Sequence, residues 1–97
     1  MKSRREIIER LRKARPELTR EFGISRLALF GSYAREEQGQ RSDVDILVDF
    51  DPSLGLRFVD LADRIESVLG EHADVVSRRA IPPNFWSQIE KDLVDVA

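Results

Sequence analysis

Two aspartates one residue apart, Asp43 and Asp45, follow a Gly31-Ser32 pair after ten intervening residues, and apolar runs flank both features. On an extended strand, residues two apart share a face. Asp43 and Asp45 would then be neighbours with Cα atoms roughly 6.5–7 Å apart. Carboxylates that close repel each other unless positive charge sits between them. Hard divalent cations such as Mg²⁺ take oxygen ligands of this kind and typically hold substrate phosphates as well. Gly31-Ser32 supplies a second half, because small residues let the backbone turn sharply and approach a ligand closely. If Ala34 to Gln38 forms a helical turn, its free N–H groups and the Ser32 hydroxyl face one spot that fits a phosphate. The chemistry such a set supports is phosphoryl or nucleotidyl transfer by in-line displacement.

The surrounding pattern supplies elements to carry these residues. Leu27 to Phe30 is continuously apolar, as in a strand buried on both faces. From Asp43 the period is two: Val44, Ile46, Val48 and Phe50 fall on one face, and Asp43, Asp45, Leu47 and Asp49 on the other. Before the first strand, Ser3 and Glu6 form a capping box that opens a helix with Ile7, Ile8, Leu11 and Ala14 on one face. Pro16 marks a break or a new first turn, and Leu18 and Phe22 carry the stripe on to Gly23. Asp51-Pro52-Ser53 is turn chemistry. Leu54, Phe58, Leu61, Ala62, Ile65, Val68 and Leu69 then repeat at helical spacing up to Gly70, as in a crossover helix packed on a sheet. Ala73 to Ser77 reads as a third strand, with Asp74 and Val76 on one face. After Pro82-Pro83 a last helix carries Phe85, Ile89 and Leu93, with Trp86 beside that stripe as either core or a partner-facing anchor. The order is αα-β-β-α-β-α, an α/β or α+β domain spanning residues 1–97.

Gly31-Ser32, ten residues, then Asp43-Val44-Asp45 resembles the G-S-x10-D-x-D signature of the polymerase-beta-like nucleotidyltransferases, and the short length resembles their minimal branch. The resemblance covers essentially the whole chain and implies a small mixed sheet with helices packed on it. It also implies roles. Gly31 and Ser32 would hold the β- and γ-phosphates, and Asp43 and Asp45 a nucleotide-bearing Mg²⁺, with Mn²⁺ as the alternative ion. Asp74 would be the third carboxylate, contacting a second metal together with Asp45 and acting as general base toward the acceptor hydroxyl. Arg35 and Arg41, with Arg78 as a further candidate, are either counter-charges to a triphosphate or ordinary exposed salt-bridge partners. The single histidine, His72, reads as a surface or capping group rather than a base. Tyr33 stands where such sequences often carry Arg, and Glu36-Glu37 where many carry Gly; both would alter the surroundings of the triphosphate.

Larger members of that family carry extra domains that grip the acceptor, and none is expected here. The resemblance is therefore to the antitoxin half of toxin–antitoxin pairs whose toxin is a HEPN-domain ribonuclease. It implies transfer of AMP from ATP to a toxin tyrosine hydroxyl. Two other readings stand beside it: a non-catalytic module that neutralises its partner by occlusion, and a nucleotidyltransferase acting on a small molecule such as an aminoglycoside.

Composition narrows the field further. Hydrophobic content of 41% supports a modest core, and 35% charged residues a well-solvated surface. A net charge of −2 and a pI near 5.4 give no global attraction to nucleic acid or anionic membrane. The arginines of the opening helix are interrupted by Glu6 and Glu9, as on a solvated face. Without cysteine there is no disulfide framework, thiol nucleophile or zinc-thiolate site. No apolar run is long enough to span a bilayer or to serve as a signal peptide, so the expected location is the cytoplasm. Homo- or hetero-oligomers are both compatible with these features.

Overall fold

The computed structural model describes residues 2–96; residues 1 and 97 of the expected single domain lie outside them. The chain opens with α1 (Arg4–Phe22). The Ser3 side chain accepts from the Glu6 N–H, and the Glu6 side chain accepts from the Ser3 N–H, so the capping box is formed. Pro16 does not break this helix. It lies on the exposed side, where the carbonyl it leaves without a donor is open to water, while Ile7, Leu11, Leu18 and Phe22 hold the other side in the core. The expected pair of opening helices is therefore one helix. Gly23 ends it at φ 67°, the left-handed conformation that glycine adopts without a Cβ clash.

Strand β1 (Ile24–Phe30) runs straight into the short helix α2 (Gly31–Ala34), and β2 (Val44–Phe50) returns antiparallel beside β1. Helix α3 (Arg57–Leu69) crosses over so that β3 (Ala73–Ser77) pairs parallel with β2. Helix α4 (Pro83–Asp92) follows, and a two-residue strand β4 (Val94–Asp95) pairs antiparallel with β1. The sheet order is β3-β2-β1-β4, a mixed sheet as expected.

Helices α1 and α3 cover one face of the sheet, where Leu27, Leu29, Val44, Ile46 and Val48 meet Ile7, Leu11, Leu61, Ile65 and Leu69 in the main core. Helix α4 covers the other face over a smaller cluster of Ala28, Leu47 and Ile81, joined by Val76, Trp86 and Ile89. β1 and β2 are thus buried on both sides. The last helix departs from the expected stripe. Phe85 is 53% exposed, Trp86 takes the inward place with Ile89, and Leu93 lies beyond the helix end. The strand β4 had no legible signal, since two residues are too few to show a period.

Candidate active site

The elements converge at the end of the sheet where β1 stops and β2 and β3 begin. In the parallel β2–β3 pairing, Asp45 stands opposite Asp74; in the antiparallel β1–β2 pairing it stands opposite Phe30, the residue before Gly31. Asp43 lies one residue ahead of β2 rather than within it. Asp45 and Asp74 share the sheet face that carries Leu47 and Val76. Helix α4 packs over the apolar pair and leaves the acidic end of that face open, with Asp45 half-buried and Asp74 exposed.

The Asp45 carboxyl titrates above its ordinary value. Burial is the main cause, the charges of Asp74 and Asp43 add to it, and Arg35 opposes them. The ligand atoms of Asp43 and Asp74, with those of His72, lie within 4.8 Å of one another. Oxygen donors gathered at one place are what a divalent cation neutralises; Asp43 and Asp74, with His72, offer such a set and Asp45 stands beside it.

Gly31 sits at φ 75° with its bare Cα against the Asp45 carboxylate. A Cβ there would overlap Asp45 Oδ2 and lie 3.0 Å from its Cγ, so glycine is required on two counts. The expected helical turn over Ala34 to Gln38 is displaced toward the N-terminus: α2 starts at Gly31, the Arg35 N–H donates to the Gly31 carbonyl at 3.1 Å, and the Glu37 N–H to the Ser32 carbonyl at 2.8 Å. Ser32 is therefore inside this turn, directly after Gly31. Arg35 donates to Asp92 on α4 at 2.8 Å and to Glu37 at 3.3 Å, both of which raise its pKa, and it lines an open cleft with Gly31, Phe30, Gln88 and Ile89. Arg41 is exposed on the loop between α2 and β2. Arg78 is not part of the group, since its guanidinium lies 3.7 Å from the Trp86 ring centroid.

Tyr33, Glu36 and His72 bear on the remaining expectations. Tyr33, at 1% exposure, belongs to the main core rather than to the surroundings of a triphosphate, and burial raises its pKa. Glu36 takes φ 59°, so the position where related sequences often carry Gly is one that favours glycine. His72, read as a surface group, is exposed but stands with the carboxylates. Its two-residue spacing from Asp74 was the available signal.

A mixed sheet with facing carboxylates on neighbouring strands, beside a Gly-Ser turn, defines a nucleotidyltransferase. Residues 11–96 match the family model described as a nucleotidyltransferase domain, and the chain belongs to that family. It is 39% identical over 82 residues to the protein adenylyltransferase MntA of Thermococcus cleftensis, covering 82% of each chain. Among solved structures it resembles one provisionally described as a minimal nucleotidyltransferase, with TM-score 0.73, 33% identity, and coverage of 90% of this chain and 93% of that one. It also resembles a chain of a toxin–antitoxin crystal structure with AMP-PNP, with TM-score 0.67, 25% identity, and coverage of 89% and 72%.

Proposed function

We propose that the chain is a metal-dependent protein adenylyltransferase that acts as an antitoxin, moving AMP from ATP to a hydroxyl, a tyrosine, of a cognate HEPN-domain ribonuclease toxin in the cytoplasm. The observation that carries this reading is Asp45, set against Gly31, standing opposite Asp74 at an open end of the sheet where the carboxylates of Asp43 and Asp74 come within 4.8 Å of each other. An exposed site of this kind can receive an acceptor displayed by another protein. The protein adenylyltransferase relative and the toxin–antitoxin likeness support the acceptor class.

In this reading Asp43, Asp45 and Asp74 hold Mg²⁺ or Mn²⁺, which when bound balances triphosphate charge and favours the ionised acceptor. Gly31 and Ser32 receive the β- and γ-phosphates, with Arg35 and Arg41 as flanking positive charges. The acceptor oxygen attacks the α-phosphorus of ATP in line. A new O–P bond forms, the bond to the bridging oxygen breaks, pyrophosphate leaves, and Asp74 takes the hydroxyl proton. The toxin is modified as an AMP ester. Pyrophosphate release from ATP, followed with and without the toxin, tests this reading. Release that requires the toxin and disappears in Asp43→Asn supports it, and toxin-independent ATP turnover contradicts it.

A further inference from the structure

We propose that His72 is a further metal ligand of this chain, and that it tunes the site toward first-row divalent cations with affinity for imidazole (Mn²⁺, Co²⁺, Zn²⁺) over Mg²⁺. The proposal rests on the metal-dependent reading above and deepens it. Ligand atoms of His72, Asp43 and Asp74 lie within 4.8 Å of one another. Donors at about 2.1 Å from a common ion lie about 3.4 Å apart in a tetrahedron and about 3.0 Å apart at cis positions of an octahedron, so closure needs side-chain shifts of about 1–2 Å. Asp74 is exposed and can supply them by side-chain rotation.

The imidazole is already oriented. Its Nδ1 lies 2.7 Å from Glu66 Oε2, and the same carboxylate oxygen accepts the Ala73 N–H at 3.1 Å, which fixes Glu66 in place. With Nδ1 engaged, Nε2 is the nitrogen left for a ligand. A carboxylate on one imidazole nitrogen and a metal on the other is a recurrent arrangement that sets tautomer and ring direction. The backbone is pinned too: the His72 carbonyl accepts the Val44 N–H at 3.0 Å, which holds the residue beside Asp43. Asp43, Asp45 and Asp74 alone form an all-oxygen set of the kind Mg²⁺ prefers. Adding imidazole shifts the preference toward softer ions of the first transition row. Glu66 acts through His72 and is a positioning residue.

The chain has one histidine, so the imidazole ¹⁵N spectrum of the tag-free protein reports His72 alone. We expect Zn²⁺ to shift the Nε2 resonance to a metal-bound position. In titration calorimetry, His72→Ala should weaken Zn²⁺ and Co²⁺ about tenfold or more and leave Mg²⁺ unchanged. Glu66→Gln should weaken Zn²⁺ about tenfold and change the tautomer signals. An unmoved ring resonance at saturating Zn²⁺, or unchanged Zn²⁺ affinity in His72→Ala, overturns the proposal. If Asp43→Asn nevertheless loses both Zn²⁺ and Mg²⁺, only the role of His72 fails. If Asp43→Asn binds both ions as the parent does, the metal-dependent reading fails as well.

Discussion

The Asp45 carboxylate rests against the bare Cα of Gly31, in space that any other residue at position 31 would fill. The contact joins the end of β1 to the start of β2 and sets where the carboxylate points. Gly31→Ala should therefore displace the Asp45 side chain and force a β-carbon onto a left-handed backbone, at a cost of about 1–3 kcal/mol. We expect a folded protein with a lower melting temperature and nucleotidyl transfer reduced about 100-fold or more. Near-parental transfer would show that the position of Asp45 is not critical.

Asp45 also carries an electrostatic cost in the metal-free protein, because it is half-buried and faces Asp74 and Asp43. A raised carboxyl pKa in the folded chain means that ionisation near neutral pH destabilises the fold. Asp45→Asn should thus raise the melting temperature in a chelator at pH 7 while abolishing transfer. A lower melting temperature would mean that the carboxylate is a structural partner rather than a strained functional group.

Arg26 donates from Nε and Nη2 to both oxygens of Asp95, at 2.9 and 3.2 Å, and so clips β4 onto β1. The pairing lowers the Asp95 pKa. A depressed carboxyl pKa gives stability that is present above the unfolded value and lost as pH falls through the folded one. Asp95 is 60% exposed, so solvent screening limits the effect to about 0.5 kcal/mol. Urea unfolding should show Asp95→Asn less stable by about that amount at pH 7, with the difference shrinking as pH falls below the ordinary aspartate range.

Glu36 holds φ 59°, and its carboxylate lies 3.5 Å from Arg4. Relief of the left-handed backbone outweighs a surface ion pair between exposed groups, so Glu36→Gly should be stabilising by up to about 1 kcal/mol. Glu36→Val, β-branched at the same φ, should be destabilising. Thermal melts of the two variants check this, and the opposite order would contradict it.

Much of the fold was legible because its signals are local and repeated. The period-two run from Val44, the helical stripe ending at Leu69 and the Ser3–Glu6 box each specify their element without distant partners. Pro16 misleads because a proline's effect depends on which side of the helix it lies, and that is set by packing. The inward turn of Trp86 in place of Phe85, and the two-residue β4, depend on the opposite sheet face, which no window of sequence contains. At the site, Gly31, Asp43 and Asp45 could be read from spacing, but the pairing of Asp45 with Asp74 required the crossover register. Arg35, Arg41 and Arg78 look alike in sequence, and tertiary partners alone separate the one on Asp92 from the one on Trp86.

AMP transfer to a partner protein is tested by intact-mass spectrometry of the protein encoded beside this chain, after incubation with the chain, Mg²⁺ and each nucleoside triphosphate in turn. A mass gain of one or more AMP units on the toxin is expected with ATP, absent when Asp43→Asn replaces the parent chain. An unchanged toxin mass, with a stable complex that still neutralises the toxin, would contradict it and leave inhibition to occlusion alone.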